Sequence, residues 1–320
     1  MRTLIVGAGA TGGYYGARLA EAGADVTFLV RPARAAKLAA DGLNVRSPLG
    51  DLHIANPPTV TADRLAEAGR FGLILLSCKA YDLDSAIADL APAVGAETAI
   101  LPVLNGLAHL DALDARFGAG HILGGSCAIA ATLAPDGTIR HMSELCSITY
   151  GERDGSRSAR IEAVDALMRG LKFQPRLSES ILLEMWEKWV FLATLAGATT
   201  LMRAAIGDIV AAPGGAELMA ALHAECTAIA AASGYTPRGV VAERARGQLT
   251  AAGSTFTASM LRDIENGGRI EADHVIGDLI ARGRRLAPEA GFPLLTLVYT
   301  GLKAYEARRA RETAGAASAQ

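Results

Sequence analysis

Lys188 lies between Trp186 and Trp189, at the edge of a long uncharged stretch. A lysine in apolar surroundings holds its charge at a cost, which suits it to giving a proton away. It could protonate a carbonyl oxygen while hydride reaches the carbonyl carbon. Read alone, it is more simply a lysine whose stem packs on tryptophan while its amine stays wet. Near the start of the chain, Gly7-Ala8-Gly9-Ala10-Thr11-Gly12 could hold a hydride donor. In such a loop Gly7 permits a tight turn, Gly9 lets a pyrophosphate approach the backbone, and Gly12 lets a helix pack close to a strand. The free N–H groups at the helix start then receive the pyrophosphate. The competing reading is a glycine turn chosen for packing alone.

The elements that must position these residues can be read in order. Residues 1–6 are an apolar strand, the glycines follow at once, and 14–22 read as a helix stopped by Gly23. A second apolar run, 26–30, ends at Arg31. An acidic residue closing this strand would suit the ribose 2′-hydroxyl of NAD, whereas an arginine accommodates a 2′-phosphate, so NADP(H) is expected. Arg34, one helical turn on, could assist; both arginines could instead be solvated. Residues 71–77 and 98–104 are continuous apolar runs, the pattern of strands buried on both faces. They deliver Lys79 and Asn105 to the rim where open α/β sheets bind ligands. Lys79 could face phosphate or ribose, or water. Asn105 could lie near the nicotinamide with Gly106 leaving room, or form an ordinary turn. Runs on either side of a turn signal at 134–137 predict a hairpin that extends the parallel sheet at its edge.

After residue 178 strand signals vanish. Helical segments are expected near 180–202, 214–233, 236–250, 255–265, 271–290 and 293–311, with a frayed tail from Thr313. The fold class is therefore α/β: an N-terminal Rossmann-type dinucleotide-binding domain over 1–178 and an all-helical C-terminal domain over 179–320, for substrate and dimerisation. Ser259, Arg262 and Asp263 share one helix face. Glu271 opens the next helix, where a carboxylate also suits the helix dipole. Asp273 and His274 read as structural or solvent-facing.

At 320 residues and 51% hydrophobic, with a net charge of −2, the chain shows no electrostatic footprint for nucleic acid. No basic block suggests a membrane surface, and the uncharged run 189–202 is too short for a span. Four scattered cysteines and six dispersed histidines predict a reduced, cytoplasmic protein without a metal site. A strand at the N-terminus argues against a signal peptide.

Together the GAGATG loop, Arg31, Cys-Lys79-Ala, Leu-Asn105-Gly, Trp-Glu-Lys188, the Ser259-Met-Leu-Arg-Asp-Ile run and Ile-Glu271-Ala-Asp resemble the ketopantoate reductase (2-dehydropantoate 2-reductase) family over nearly the full length. The resemblance implies NADPH-dependent reduction of a 2-oxo acid, first of all ketopantoate to pantoate in pantothenate biosynthesis. It implies Lys188 as general acid, Glu271 as a second catalytic residue that also takes the ribose side of the cofactor, Asn105 touching nicotinamide and substrate, Ser259 holding substrate, and a homodimer. The chain departs from the family at three asparagine positions, which here are Leu192, Ala196 and a site near Ile206. Lys188, Leu192 and Ala196 fall in one i, i+4, i+8 row. The wall above the lysine is thus apolar unless Thr199 or Thr200 restores polar contacts. This leaves open a more apolar 2-oxo acid or ketone as substrate, or a non-catalytic NADP(H)-binding regulator. The presence of both Lys188 and Glu271 favours an enzyme.

Overall fold

The computed structural model of the protein describes residues 1–318. They form two compact units, residues 1–104 with 109–181, and residues 105–108 with the chain from Leu182 onward. The first unit begins β1 (Thr3–Val6), α1 (Ala10–Glu21), β2 (Val26–Leu29), α2 (Pro32–Asp41), β3 (Leu43–Arg46), β4 (Leu52–Ile54) and β5 (Thr59–Val60). It continues with β6 (Leu73–Leu76), α3 (Leu83–Leu90), β7 (Ala99–Pro102), α4 (Ala108–Phe117), β8 (Gly124–Leu133), β9 (Ile139–Gly151), α5 (Ala159–Met168) and β10 (Gln174–Leu177).

Five of these strands make a wholly parallel sheet in the order β5-β2-β1-β6-β7. All four residues of β1, β6 and β7 are buried, as their unbroken apolar runs require. Strand order reverses at β1, with β2 on one side and β6 on the other. The crevice beyond the end of β1 is where such sheets take ligands, and the glycine loop begins there.

The hairpin departs from expectation. Instead of extending the parallel sheet, β8 and β9 start a second five-stranded sheet, in which β10 and β3 pair with β9 and β4 pairs with β3. Among the described residues, the bridge of Ile100 to Ile122, just before β8, joins the hairpin's approach to the first sheet. The physical reason lies in α1, which is buried from Gly12 through Leu19. Its Gly16 lies against Ile5 and Phe28 of the first sheet and its Gly13 against Ile139 of β9. A helix apolar on both sides needs a layer on both sides, and the second sheet is that layer.

The second unit contains α6 (Ile181–Met202), α7 (Ile206–Ala211), α8 (Gly215–Ala232), α9 (Gly239–Leu249), α10 (Ser259–Glu265), α11 (Asp278–Leu286) and α12 (Pro293–Ser318). Among the described residues no strand follows β10. The helix expected over 271–290 is divided: Asp273–Gly277 is a π-helical turn that leads into α11, and Pro288 stops the run. The six-residue α7 was not expected; Asp208 caps it by accepting the Ala205 N–H at 3.2 Å. The last helix continues to Ser318, past the point where the tail was expected to fray, and residues 319–320 lie outside the described chain. No described helix is long and apolar enough to cross a membrane.

Candidate active site

The loop after β1 has the shape that its glycines foretell. Gly7 has φ +94°, a conformation open to glycine and strained for other residues. At Gly12 a Cβ would stand 2.1 Å from Ser77 Oγ and 2.4 Å from the Gly7 carbonyl, so only hydrogen fits. At Gly9 a Cβ would meet nothing within 4 Å, so the backbone there is open to an incoming group. Gly9 is also the N-cap of α1, and the first turn carries no acidic residue. The first N–H groups of a helix lack intrahelical acceptors. Here they are offered by Ala10, Thr11 and Gly12, beside the open face. A pyrophosphate fits this cradle in charge and in space. Ser77, which sequence reasoning passed over, fastens the loop from below by donating to Val6 O at 3.1 Å.

Gly12→Ala is therefore expected to force backbone apart. Overpacking of this kind costs about 1–3 kcal/mol. Denaturant unfolding with and without NAD(P)H should show both a lower midpoint and a smaller shift on adding the dinucleotide. A variant as stable and as responsive as the parent would contradict the packing account.

The two arginines separate in role. Arg31 stands at the N-cap of α2, its side chain 73% exposed and 3.1 Å from Asp82. Arg34 turns inward: its Nε donates to Ala8 O at 3.2 Å and its Nη2 to Gly137 O at 3.3 Å, tying the glycine loop to the hairpin tip. Burial pushes the Arg34 guanidinium below its usual value. Lys79 caps a single 3-10 turn, where its carbonyl accepts the Asp82 N–H at 2.9 Å. All of these belong to the first unit.

Asn105, Lys188, Ser259 and Glu271 belong to the second unit. Lys188 is half-buried on α6, and its neighbours are immobilised. Trp186 and Trp189 are buried with ring centroids 4.9 Å apart, and Trp186 stacks on Tyr235. Glu187 is buried against Arg238, whose backbone N–H and Nε both donate to it at 2.9 Å. Trp189 Nε1 donates to Val275 O at 2.8 Å, reaching the π turn that Glu271 leads into. Glu271 is itself buried, and its carbonyl accepts the Val275 N–H at 2.9 Å. Ser259 is exposed at the first position of α10. Its predecessor Ala258 donates its N–H to Thr199 Oγ1 of α6 at 3.5 Å.

The row above the lysine is more closed than its spacing suggests. Leu192 is half-buried, but Ala196 is 1% exposed and Ile206 is fully buried. Thr199 and Thr200 do not replace the missing amides. Both are buried, and their hydroxyls donate to the helix carbonyls of Leu195 and Ala196 respectively. Such back-bonding within a helix is the default for a buried threonine.

His274 is the residue that sequence reasoning set aside. Its ring hydrogen-bonds to the Asn105 backbone. Burial holds the imidazole below its usual value, against the opposing pull of Glu271 and Asp278.

A parallel sheet with this phosphate cradle, joined to a helical unit with a seated lysine, defines a class, the dinucleotide-linked oxidoreductases. Residues 3–155 match the family profile described as Ketopantoate reductase PanE/ApbA, and residues 180–306 match its C-terminal counterpart. The chain belongs to the ketopantoate reductase family, NAD(P)H-binding oxidoreductases acting on CH–OH groups. It is 37% identical to the "Uncharacterized oxidoreductase YkpB" of Bacillus subtilis, covering 97% of this chain and all of that one. A 2-dehydropantoate 2-reductase of Mesorhizobium japonicum is 28% identical over 89% of this chain and 92% of its own length. The crystal structure of 2-dehydropantoate 2-reductase from Geobacter metallireducens superposes with a TM-score of 0.85 at 29% identity, covering 95% of this chain and 99% of that one.

Proposed function

We propose that the chain uses NADPH to reduce a 2-oxo acid to a 2-hydroxy acid. Ketopantoate, reduced to pantoate for pantothenate synthesis, is the first candidate. The observation that carries the reading is Lys188, left half-open on a helix whose flanking side chains are all locked. When bound, the reduced nicotinamide supplies the hydride that adds to the carbonyl carbon. Lys188 gives the proton to the carbonyl oxygen, so carbon and oxygen together gain one hydride and one proton. Asn105 orients nicotinamide and substrate with its amide, and Ser259 holds the substrate through its hydroxyl. Glu271 takes the ribose side of the cofactor. In the first unit Gly7 to Gly12 hold the pyrophosphate, Arg31 the 2′-phosphate and Lys79 the adjoining phosphate or ribose. The first unit thus serves the phosphates of the cofactor, and the second the substrate together with the nicotinamide and its ribose. A cytoplasmic homodimer belongs to the same proposal.

A specific observation favours a substrate more apolar than ketopantoate. Near Lys188, α6 presents Leu192, and neither Thr199 nor Thr200 turns a hydroxyl outward. Phe191 stacks on Phe256 with centroids 6.2 Å apart, adding aromatic surface on the same helix. An apolar wall forgoes the strong discrimination that hydrogen bonding to a substrate hydroxyl provides. Each buried methylene instead contributes about 0.8 kcal/mol, roughly fourfold. Measured kcat/KM values for ketopantoate and for 2-oxo acids with longer aliphatic or aromatic side chains should rise with apolar size. A clear preference for ketopantoate would remove this second reading and leave the reaction intact.

A further inference from the structure

The turn Asp273–Gly277 is wound more loosely than the helices around it, with the Asp278 N–H bonded to Asp273 O five residues back. π turns are rare and concentrate at functional sites. This one is held from two helices. From α6, the Trp189 indole donates to Val275 O at 2.8 Å. From α12, Tyr299 Oη donates to Asp273 Oδ1 at 2.5 Å, and Lys303 Nζ lies 3.0 Å from both carboxylate oxygens. The remaining side chain at issue, His274, reaches the Asn105 backbone. Gly106 lies directly against it: a Cβ there would stand 2.8 Å from His274 O and 3.0 Å from its Cδ2. Gly106 also has φ +76°, so the turn needs glycine both for its backbone and for the histidine beside it.

We propose that His274 is a positioning residue: it fixes the turn that carries Asn105 onto the same π turn that anchors Lys188 through Trp189. The catalytic part of this inference rests on the reductase reading above; the clamp itself does not. A ring at 274 fills the space beside Gly106 and satisfies a backbone group of Asn105. A smaller apolar side chain does neither, and the amide of Asn105 loses its fixed place relative to Lys188.

The test compares the full-length chain with His274→Ala and His274→Gln by local hydrogen exchange and by NADPH-driven turnover. Loss of one hydrogen bond should speed exchange of the amides at 106–108 by about 3- to 10-fold in His274→Ala. Glutamine, which keeps a donor and an acceptor, should return it to near the parent rate. Misplacement of Asn105 should lower kcat by about 10-fold or more, with NADPH affinity little changed. A merely structural histidine would instead raise exchange evenly across α8 and α12. That result, or unchanged exchange at 106–108, overturns the proposal. Should His274→Ala fail to fold, His274→Phe, which keeps a ring but loses the hydrogen bond, takes its place, and the same local rise is expected or the proposal fails. If the parent protein turns over no 2-oxo acid, the reductase reading falls while the exchange measurement still decides the clamp.

Discussion

Replacing Lys188 by alanine is expected to lower kcat by about 10²–10⁴-fold, the usual contribution of a positioned general acid, and to leave NADPH binding near its parent strength. The reason for so clean a separation is the way α6 is held. Trp186, Glu187 and Trp189 each have a partner of their own, in Tyr235, Arg238 and Val275. Removing the Lys188 side chain is therefore expected to take away the proposed proton donor and to leave the helix in place. Arginine at the same position keeps a charge but does not release a proton, so Lys188→Arg should rescue little of the loss. Stopped-flow single turnovers would place the loss in the chemical step. An unchanged kcat in Lys188→Ala would take the residue out of the mechanism.

Arg31→Ala is expected to have the second large effect, and on the cofactor alone. A lost charge-assisted hydrogen bond to phosphate costs about 1.5–3 kcal/mol, or roughly 10- to 150-fold in Kd. NADH, lacking the 2′-phosphate, should bind the variant as it binds the parent. The Asp82 carboxylate does not bar Arg31 from a phosphate, because an exposed pair of this kind is worth about 0–1 kcal/mol. Arg34 cannot take over, since its guanidinium is committed to the Ala8 and Gly137 carbonyls. Fluorescence titration of both cofactors on both proteins makes the comparison, and equal losses for NADPH and NADH would rule out the contact.

Much of the fold was legible because it is written locally. Unbroken apolar runs mark β1, β6 and β7, and the positive φ of Gly7 and the tight fit at Gly12 follow from glycine spacing. The second sheet was not legible. The turn signal at 134–137 between two β-like runs announces a hairpin, but nothing local says that β9 will also pair with β3 and β10. The π turn was hidden for a related reason: one extra residue per turn leaves no periodic mark in so short a segment. Thr199 and Thr200 offered hydroxyls on paper, yet a helix lets a buried threonine bond back to its own turn. His274 could not be valued from sequence because its partner, Asn105, is brought to it only by the fold. The signal was faintly there, in a glycine beside Asn105 and an imidazole three residues past Glu271.

The most direct test of the central claim is a single assay. Protein, NADPH and ketopantoate are mixed, loss of the nicotinamide absorbance is followed, and the 2-hydroxy acid is quantified; the longer 2-oxo acids follow in turn. The predicted result is one 2-hydroxy acid formed per NADPH consumed, with at least one of these acids turned over at a KM below about 1 mM. NADPH that binds firmly but is consumed with none of them would contradict the 2-oxo acid reductase account.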